Sequence, residues 1–464
     1  MIKTKPNRLL PIVKIAQQKA SQTKKPCFIS VIEKVSSANP LSFFEEGKNY
    51  MGERIFWQDS QGELVLVGIG SATMIQEGEE RFQSVRTHLQ NLYENLITEG
   101  DKQVPGTGFL SFGGFCFDPY AKKKGLWDSF PDTKFTVPMF LLTKRGQDIY
   151  LTINALVDHE KAPEDFSEFL LQESKRLLES TTTQTPPVDM VDVKEIGVDT
   201  WKEHVHQVTE EIKKGRVDKV VLARELRAHF SGRVAISSIL KKLVSEHPNS
   251  YIFIMESGDD CFVGASPERL VKVENQEVLS TCLAGTAPRG KTEEEDRIIG
   301  TDLLSDSKNL QEHQFVVQMI KESVADCCKT LSVPKQPILY PLRHMQHLYT
   351  PVRGILKDDM SLLDIVERLH PTPALGGEPR EDALTFIRDY EDMERGWYGA
   401  PIGWLDQMGN GEFAVAIRSA LIHKDQASLF AGCGVVEDSD PEAEYEETRI
   451  KFGPMLSVLG GPSR

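Results

Sequence analysis

Apolar residues along the first 180 positions alternate between strand-like and helical spacing. Residues 64–70 (LVLVGIG) and 139–144 (MFLLTK) are apolar runs of strand length. Between them, residues 81–97 place apolar side chains three and four positions apart, which predicts an amphipathic helix. Residues 106–119 (GTGFLSFGGFCFDP) combine Gly and Phe within an apolar run. We expect close backbone packing in the core there rather than a ligand loop.

A change of composition near position 180 divides the chain. A helical pattern over 162–178 gives way to STTTQTPPVDM at 180–190, a Thr/Pro stretch without apolar period that is typical of a linker. We therefore predict an N-terminal α/β region over 1–180, a linker over 181–194 and a catalytic region over 195–457.

The second region continues to alternate strands and helices. Thr200 and Glu203 form a capping-box pattern, which predicts a helix that opens there and ends at Gly215. This alternation favours a mixed α/β fold. Further strands are predicted over 219–230, 250–263, 412–422 and 428–435, and further helices over 309–331 and 441–456.

Bulk composition describes an ordinary globular chain of 464 residues, with 40% hydrophobic and 27% charged residues. Its net charge of −15 argues against nucleic-acid binding, because a phosphate backbone would be repelled. A small anionic substrate would need local cations or backbone N–H groups to overcome that field.

Cysteine usage and the N-terminus favour a cytoplasmic protein. The seven cysteines lack metal-ligand spacing, and an odd number suits reduced thiols in a reducing compartment. The apolar run near the N-terminus is broken by Lys14 and is too short for a signal sequence or a membrane span, so no membrane partner is expected.

The segment GTAPRGKT at 285–292 satisfies the pattern of a phosphate-binding loop, yet its chemistry argues against that function. Pro288 has no N–H to offer a phosphate, and three glutamates from Glu293 onward would place negative charge where phosphates must bind. We therefore reject a nucleotide-binding function.

Three charged residues near the C-terminus share one helical face. Glu444, Glu447 and Lys451 are spaced i, i+3 and i+7. Taken alone, this pattern is more typical of a solvated face with a Glu447–Lys451 ion pair. A second interpretation is a Mg²⁺ site, with Glu312 joining from another helix, because Mg²⁺ prefers a few carboxylates, waters and an anionic substrate. The sequence alone does not bring Glu312 to that face.

The order of motifs over 195–455 resembles that of the chorismate-utilising enzymes, which include anthranilate, aminodeoxychorismate, salicylate and isochorismate synthases. The resemblance implies a fold of large antiparallel-rich sheets layered with helices and an active site in the C-terminal half. The segments that carry it are KVVLAR, GASPERL, LAGTAPRG, a helix with EH, RHMQHL, HPTPALGGEPR, RGWYGAPIGW, AIRSAL and AGCGVV followed by PEAEYEET.

Carried over position by position, the resemblance implies Lys219 as the general base that activates water and Glu268 as the general acid. It implies a Mg²⁺ site of Glu312, Glu444 and Glu447, and chorismate as the substrate. The remaining implied substrate contacts are Gly285, Thr286, His347, Ala374, Leu375, Tyr398, Arg418, Gly432, Gly434 and Lys451.

The implied isomerisation of chorismate to isochorismate suits these residue types. Water adds at one ring carbon and hydroxide leaves from another, so a neutral amine and a protonated carboxyl must act on separate atoms. Simpler interpretations of the same residues exist: Lys219 as an edge-strand lysine, Glu268 as a helix-start acid, and Arg418 as a surface residue. His347, near His344, could likewise be a surface histidine.

The HPTPALGG form, with Ala374 followed by Leu375, resembles the isochorismate-forming members of the family. The nitrogen-using members resemble a PAGTVTGAP-type segment with Thr instead. No attached glutaminase region is present in the sequence given, so no obligatory glutaminase partner is expected. The long N-terminal half favours the menaquinone-pathway form. Salicylate synthase, a siderophore-pathway enzyme and a catalytically dead binding homologue remain alternatives.

Overall fold

A computed structural model of the chain describes residues 8–77, 81–158, 162–179, 188–341 and 345–461. Over these ranges the chain forms eleven α-helices and twenty-one strands, so the predicted mixed α/β class is confirmed. The helices are α1 Leu9–Thr23, α2 Pro40–Glu46, α3 Arg81–Glu94, α4 Pro163–Leu178, α5 Val198–Lys213, α6 Ile236–Glu246, α7 Glu293–Ser305, α8 Ser307–Ala325, α9 Leu362–Leu369, α10 Arg380–Tyr390 and α11 Pro441–Val458.

The strands fall into an N-terminal and a C-terminal set. The first set is β1 Cys27–Val35, β2 Arg54–Gln58, β3 Leu64–Glu77, β4 Leu96–Glu99, β5 Leu110–Phe115, β6 Thr133–Arg145 and β7 Asp148–Val157. The second set is β8 Met190–Glu195, β9 Lys219–Phe230, β10 Tyr251–Ser257, β11 Asp260–Ser266, β12 Arg269–Glu274, β13 Glu277–Pro288, β14 Cys328–Ser332, β15 Ile338–Pro341, β16 Met345–Leu356, β17 Gly377–Glu378, β18 Pro401–Asp406, β19 Gly411–Val415, β20 Ser419–His423 and β21 Gln426–Val435.

The strand network branches at β6, whose two ends pair with different neighbours. Residues 140–145 of β6 pair with β7, and residues 133–136 pair with β5. One branch leads from β6 to β9, and it passes through β3, β2, β10, β11, β20 and β21. The other branch leads from β5 to β16, and it passes through β18, β19, β12 and β13. All these pairings are antiparallel, as expected from the resemblance.

Two apolar cores lie on opposite faces of the branch that contains β9. One core contains Trp57 and Phe253 from the β9-bearing branch together with Trp404 and Phe413 from the β16-bearing branch, so the branches face each other across it. The second core lies beneath α1, α2, α4, α6 and α11 on the other face of the β9-bearing branch. Burial of both faces requires the continuous apolar runs seen in strands such as β10.

The second region departs from the predicted elements in four places. The strand predicted over 412–422 is two strands, because β19 ends at Val415 and β20 begins at Ser419. The helix predicted over 309–331 ends at Ala325, because Cys328–Ser332 instead pairs with β16. The strand predicted over 250–263 is a hairpin of two strands that turns at Gly258. The capping-box prediction is wrong, since α5 begins at Val198 after Gly197 and has no side-chain cap.

Two predictions for the first region and the linker also need correction. The helix predicted over 81–97 ends at Glu94, and Leu96–Glu99 pairs in parallel with β1. Of the linker predicted over 181–194, residues 181–187 lie outside the described ranges. Residues 190–194 are strand rather than linker, because β8 pairs with β9. In the described parts of the chain, no helix is both long and apolar enough to cross a membrane.

Candidate active site

Lys219 lies at the start of β9, where this strand runs between β17 and β21. Glu378 of β17 is its backbone partner on one side. On the other side the side chain passes over Gly434, where a Cβ would lie 2.6 Å from Lys219 Cε and 3.3 Å from Nζ. The glycine therefore leaves the space that the Lys219 amine occupies.

Gly432 and Gly434 present backbone groups along a free stretch of β21. They are paired in register with Ala223 and Val221, yet the N–H groups of those residues donate to Glu391 Oε2 and to the Gly376 carbonyl instead. In an antiparallel ladder such pairs leave the N–H groups of both glycines pointing away from β9. Because β20 pairs only as far as Phe430 of β21, both N–H groups project past its end.

Tyr398 and Lys451 enclose the same glycines. A Cβ at Gly432 would lie 3.3 Å from the Tyr398 hydroxyl. Lys451 on α11 donates to the Gly432 carbonyl over 2.8 Å and also pairs with Glu447. Burial raises the pKa of Tyr398 to about 12, so its phenol is protonated at neutral pH and can donate a hydrogen bond.

Arg418 follows β19 in a strained backbone conformation. Its φ of 51° is in the left-handed region, which costs free energy for a non-glycine residue. Its carbonyl accepts from Ala265 N over 3.1 Å. Its guanidinium makes no hydrogen bond or ion pair within the described ranges. Burial lowers the pKa of Arg418, and the nearby Tyr398, Glu268 and Glu447 act in the opposite direction. Such a cation is free to bind a carboxylate.

Glu268 lies in the loop between β11 and β12, not at a helix start. Its N–H donates to Ser266 Oγ and its carbonyl accepts from Val415 N. Burial raises the pKa of Glu268 to about 7, against the opposing effect of Arg418 and Lys451. A large fraction of this carboxyl is therefore protonated near neutrality, as a general acid requires.

Thr286 and His347 face each other across β13 and β16, with Thr286 Oγ1 2.8 Å from His347 Nδ1. Burial and the nearby Arg418 lower the pKa of His347, so the ring is neutral and can accept or donate a hydrogen bond. His344, its predicted companion, lies outside the described residues. Gly285 has a φ of +76°, and a Cβ there would lie 3.0 Å from Leu348 Cδ1.

The segment that mimics a phosphate-binding loop is sheet in its first half. Residues as far as Pro288 belong to β13, and the first turn of α7 carries four acidic residues from Glu293 to Asp296. This arrangement agrees with the rejection of a nucleotide site.

The predicted metal ligands come from two helices. Glu444 Oε1 accepts from Ser439. Glu444 Oε2 is buried and accepts no hydrogen bond of normal geometry within the described ranges, although the Cys433 thiol lies close enough for the carboxylate to raise its pKa. Glu447, one turn later, is exposed and pairs with Lys451. Glu312 is exposed on α8, and it and Glu268 both raise the pKa of Cys282.

These carboxylates do not form a closed metal cage. Within the described ranges no three His, Cys, Asp or Glu side chains converge as a metal-binding group. Mg²⁺ commonly keeps several waters and binds substrate oxygens, so an open set of carboxylates that includes the buried Glu444 oxygen fits it.

Ala374 is exposed and Leu375 is buried on the turn that precedes β17. The turn is held by the buried Arg395, which donates to the Leu375 carbonyl over 3.0 Å and to the Val221 carbonyl over 2.7 Å. Glu391 pairs with Arg395 and accepts from Ala223 N. The Ala374 turn is therefore fastened to the strand that carries Lys219.

Sequence reasoning missed Arg395, Glu391 and a second buried arginine, Arg224 of β9. For Arg224 a signal was available, since it follows the apolar run from Val220 to Ala223, and an Arg that is buried with such a run must be paired inside the protein. Arg395 and Glu391 pair with each other at i,i+4 spacing. Their further partners Leu375, Val221 and Ala223, and the partners of Arg224, lie far away in sequence, so spacing alone could not connect them to the site.

Most of the predicted residues lie in one cluster, and the space beside Gly432 and Gly434 that they border is the candidate pocket. Lys219, Tyr398 and Lys451 border Gly432 and Gly434. The charge of Arg418 interacts with four further site residues, namely Tyr398, Glu268, Glu447 and His347. Glu312 interacts electrostatically with Cys282, as Glu268 does, but among the described residues it does not join Glu444 and Glu447 in a three-carboxylate group. Ala374 is exposed on the turn before β17.

Comparisons with known proteins agree over nearly the whole length. A family model described as chorismate binding enzyme matches residues 14–460. The isochorismate synthase MenF of Bacillus subtilis (strain 168) is 42% identical over 456 residues, which is 97% of each chain. The salicylate biosynthesis isochorismate synthase of Pseudomonas aeruginosa is 35% identical, covering 95% of this chain and 93% of that one.

Solved structures share the fold. MenF, the menaquinone-specific isochorismate synthase from Escherichia coli, superimposes with a TM-score of 0.79 at 23% identity, over 97% of this chain and 99% of that chain. Anthranilate synthase component I from Streptococcus pneumoniae TIGR4 gives a TM-score of 0.69 at 23% identity, over 86% of this chain and 92% of that chain.

Proposed function

This chain belongs to the chorismate-binding enzyme family, and on that premise we propose that it is an isochorismate synthase, an isomerase that converts chorismate to isochorismate. The observation that carries the proposal is Glu268, whose pKa of about 7 accompanies an adjacent Arg418 guanidinium that makes no hydrogen bond or ion pair with any described residue. The pocket thus offers a proton donor and a carboxylate anchor together. The two relatives named isochorismate synthases, at 42% and 35% identity, support the same activity.

The reaction needs a base and an acid at separate ring carbons. Lys219 takes a proton from water as the oxygen bonds to C2, and the ring double bonds shift. The C4–O bond breaks, and the departing oxygen takes the proton of Glu268, so one water is consumed and one is formed. Two different residues are required because the two oxygens are bonded to different carbons.

Substrate binding uses the cations and N–H groups that border the pocket. Arg418 can grip a carboxylate through its planar fork, and the N–H groups of Gly432 and Gly434 can receive a second one. Lys451, Tyr398 and His347 supply further donors. Gly285, Thr286 and Leu375 shape the pocket wall, and the small Ala374 leaves room for water at its rim.

Glu444, Glu447 and Glu312 would hold Mg²⁺, which when bound polarises the ring carboxylate of the substrate. The buried Glu444 oxygen supports this assignment. The residues of the chain hold the substrate and transfer the protons.

We further propose that the product enters menaquinone synthesis in the cytoplasm. The pathway is supported by the Bacillus relative, which shares the name MenF with the menaquinone-specific enzyme of Escherichia coli. The compartment is supported by the cysteines, all seven of which are unpaired and buried, as suits a reducing environment.

The test is to incubate the purified protein with chorismate and Mg²⁺, with and without ammonium or a chelator, and to resolve the products by mass. We expect a new compound of unchanged mass that chelation abolishes. The Glu268→Gln variant should not form it. Salicylate with pyruvate would instead make the protein a salicylate synthase, and an aminated product would place it with the nitrogen users.

A further inference from the structure

Arg224 is a charged residue buried beneath the site, and the chemistry proposed above does not use it. It lies in β9 and is 2% exposed. Its Nη1 donates to Glu195 Oε2 of β8 over 2.7 Å, and its Nε donates to Thr448 Oγ1 of α11 over 2.7 Å. These two contacts hold two nitrogens of the buried cation, whereas Nη2 makes no hydrogen bond with any described residue.

Aromatic rings complete the enclosure of this guanidinium. Its central carbon lies 4.5 Å from the ring centre of Tyr445, 4.9 Å from Phe452 and 5.9 Å from Trp201. The Tyr445 hydroxyl donates to the second oxygen of Glu195 over 3.1 Å. One arginine therefore connects β9 to β8, α5 and α11.

Each of the three α11 residues that Arg224 contacts is adjacent in sequence to a residue of the candidate site. Arg224 touches Tyr445, Thr448 and Phe452, and the residue that immediately precedes each of them is Glu444, Glu447 or Lys451. Successive residues of an α-helix are rotated by about 100° and displaced by about 1.5 Å. Anchoring one face of α11 thus sets where the adjoining face points.

We propose that Arg224 is a positioning residue, which fixes the rotation and axial position of α11 so that Glu444, Glu447 and Lys451 face the pocket. The inference rests on the proposed function, because it assigns a purpose to the Mg²⁺ and substrate residues of that site. Arg224 itself contacts neither metal nor substrate.

Thr448→Val tests the proposal with little change of shape. It removes the oxygen that accepts from Arg224 Nε, whereas Thr448→Ser keeps it. The matched control is Arg449→Gln, which breaks the exposed Arg449–Glu446 pair of the same helix. Circular dichroism checks that each variant is folded. Isothermal titration of Mg²⁺ into the substrate-free protein gives the metal affinity, and steady-state assays give kcat and the apparent KM values for Mg²⁺ and chorismate.

We expect Thr448→Val to bind Mg²⁺ about tenfold more weakly, as is common when a residue behind a metal ligand is lost, with a matching rise in the KM for Mg²⁺. Thr448→Ser and Arg449→Gln should stay within about twofold of the unmodified protein, because both leave the Arg224 contacts in place. If Thr448→Val does not fold, Tyr445→Phe takes its place and should weaken Mg²⁺ binding in the same direction.

A folded variant that is less heat-stable but binds Mg²⁺ normally would overturn the positioning role and leave the proposed function intact. An unmodified protein that converts chorismate without binding Mg²⁺ would instead refute the metal site, and this inference with it. An unmodified protein that binds Mg²⁺ but does not convert chorismate would refute the proposed activity alone.

Discussion

At the scale of single residues, the protonation of Glu268 decides the pH range of the enzyme. Its pKa is raised to about 7, chiefly by burial, so the protonated acid is lost as pH rises above that value. We expect kcat/KM to fall about tenfold per pH unit on the alkaline side, with the bend near pH 7. A pH series at saturating Mg²⁺ measures this, and a flat profile up to pH 9 would contradict the assignment.

The same shift predicts a gain in stability when Glu268 is replaced. A carboxyl whose pKa is about 7 when folded and 4.5 in the reference state binds more protons in the native protein between those values. Stability therefore falls as pH rises from about 4.5 to about 7, and it remains lowered above that window. Glu268→Gln should raise the thermal midpoint at pH 8 and leave it nearly unchanged at pH 4.5. A variant less stable than the unmodified protein at pH 8 would show that desolvation is not the dominant cause.

Gly434 gives a second prediction, which concerns space rather than charge. The Cβ of Gly434→Ala would lie 2.6 Å from Lys219 Cε, so the lysine side chain must move. Misplacing a reacting group by about 1 Å can cost about 100-fold in rate, and we expect a loss of that order in kcat. Circular dichroism and a thermal melt should show an intact fold.

The matched control is Gly453→Ala, at a position of α11 where an added Cβ meets nothing within 4 Å. Activity should be unchanged, and the free energy of unfolding should rise by about 0.5–1 kcal/mol, because alanine suits a helix better than glycine. Normal turnover by Gly434→Ala would mean that the Lys219 amine does not need its position over this glycine.

At the scale of elements, apolar periodicity succeeded where an element is buried and regular. The strand predicted over 219–230 is β9 itself, and the helix predicted over 441–456 is α11 within two residues. Periodicity failed where pairing with a distant strand decides the conformation. Cys328–Ser332 continues a helical pattern in the sequence, but it is strand because β16 offers it a free edge.

The sequence pattern could place site residues that share one element, but not those that come from different elements. The spacing of Glu444, Glu447 and Lys451 was sufficient to place them on one helical side, since all three belong to one element. Glu268 and Arg418 come from different loops, and only the family resemblance suggested that they meet. The strained φ of Arg418 has no counterpart in the sequence pattern at all.

The Arg395–Glu391 pair supports a prediction at this scale, because it fastens the Ala374 turn to β9. Both side chains are about 5% exposed or less, and Glu391 also accepts from the β9 backbone. Glu391→Gln leaves a buried guanidinium without its counter-ion, which we expect to cost about 3 kcal/mol in unfolding free energy. Urea denaturation measures the loss.

An exposed ion pair provides the comparison. Glu210→Gln breaks the Glu210–Lys213 pair, whose side chains are 44% and 47% exposed, and should cost less than about 0.5 kcal/mol. Equal losses for Glu391→Gln and Glu210→Gln would show that the buried pair does not secure the turn.

At the scale of the whole molecule, the two halves of the sequence share their sheets. β10 pairs with β2, and β18 pairs with β5, so strands of the catalytic half have neighbours from the N-terminal half. Trp404 and Trp57 lie in the same core, although they belong to different halves. The predicted boundary near 180 therefore separates two stretches of sequence whose strands depend on each other.

This sharing predicts that the catalytic half does not fold alone. A fragment of residues 188–461 would expose the edges of β10 and β18 and open the core around Trp404, and unpaired edges of this kind promote aggregation. We expect it to be insoluble or to melt without a cooperative transition, while co-expression with residues 1–179 restores a soluble complex that forms isochorismate. Solubility, thermal melting and product assays on both preparations measure this. A lone fragment that melts cooperatively and is fully active would show that the N-terminal half is dispensable, and that the shared strands contribute neither to stability nor to the site.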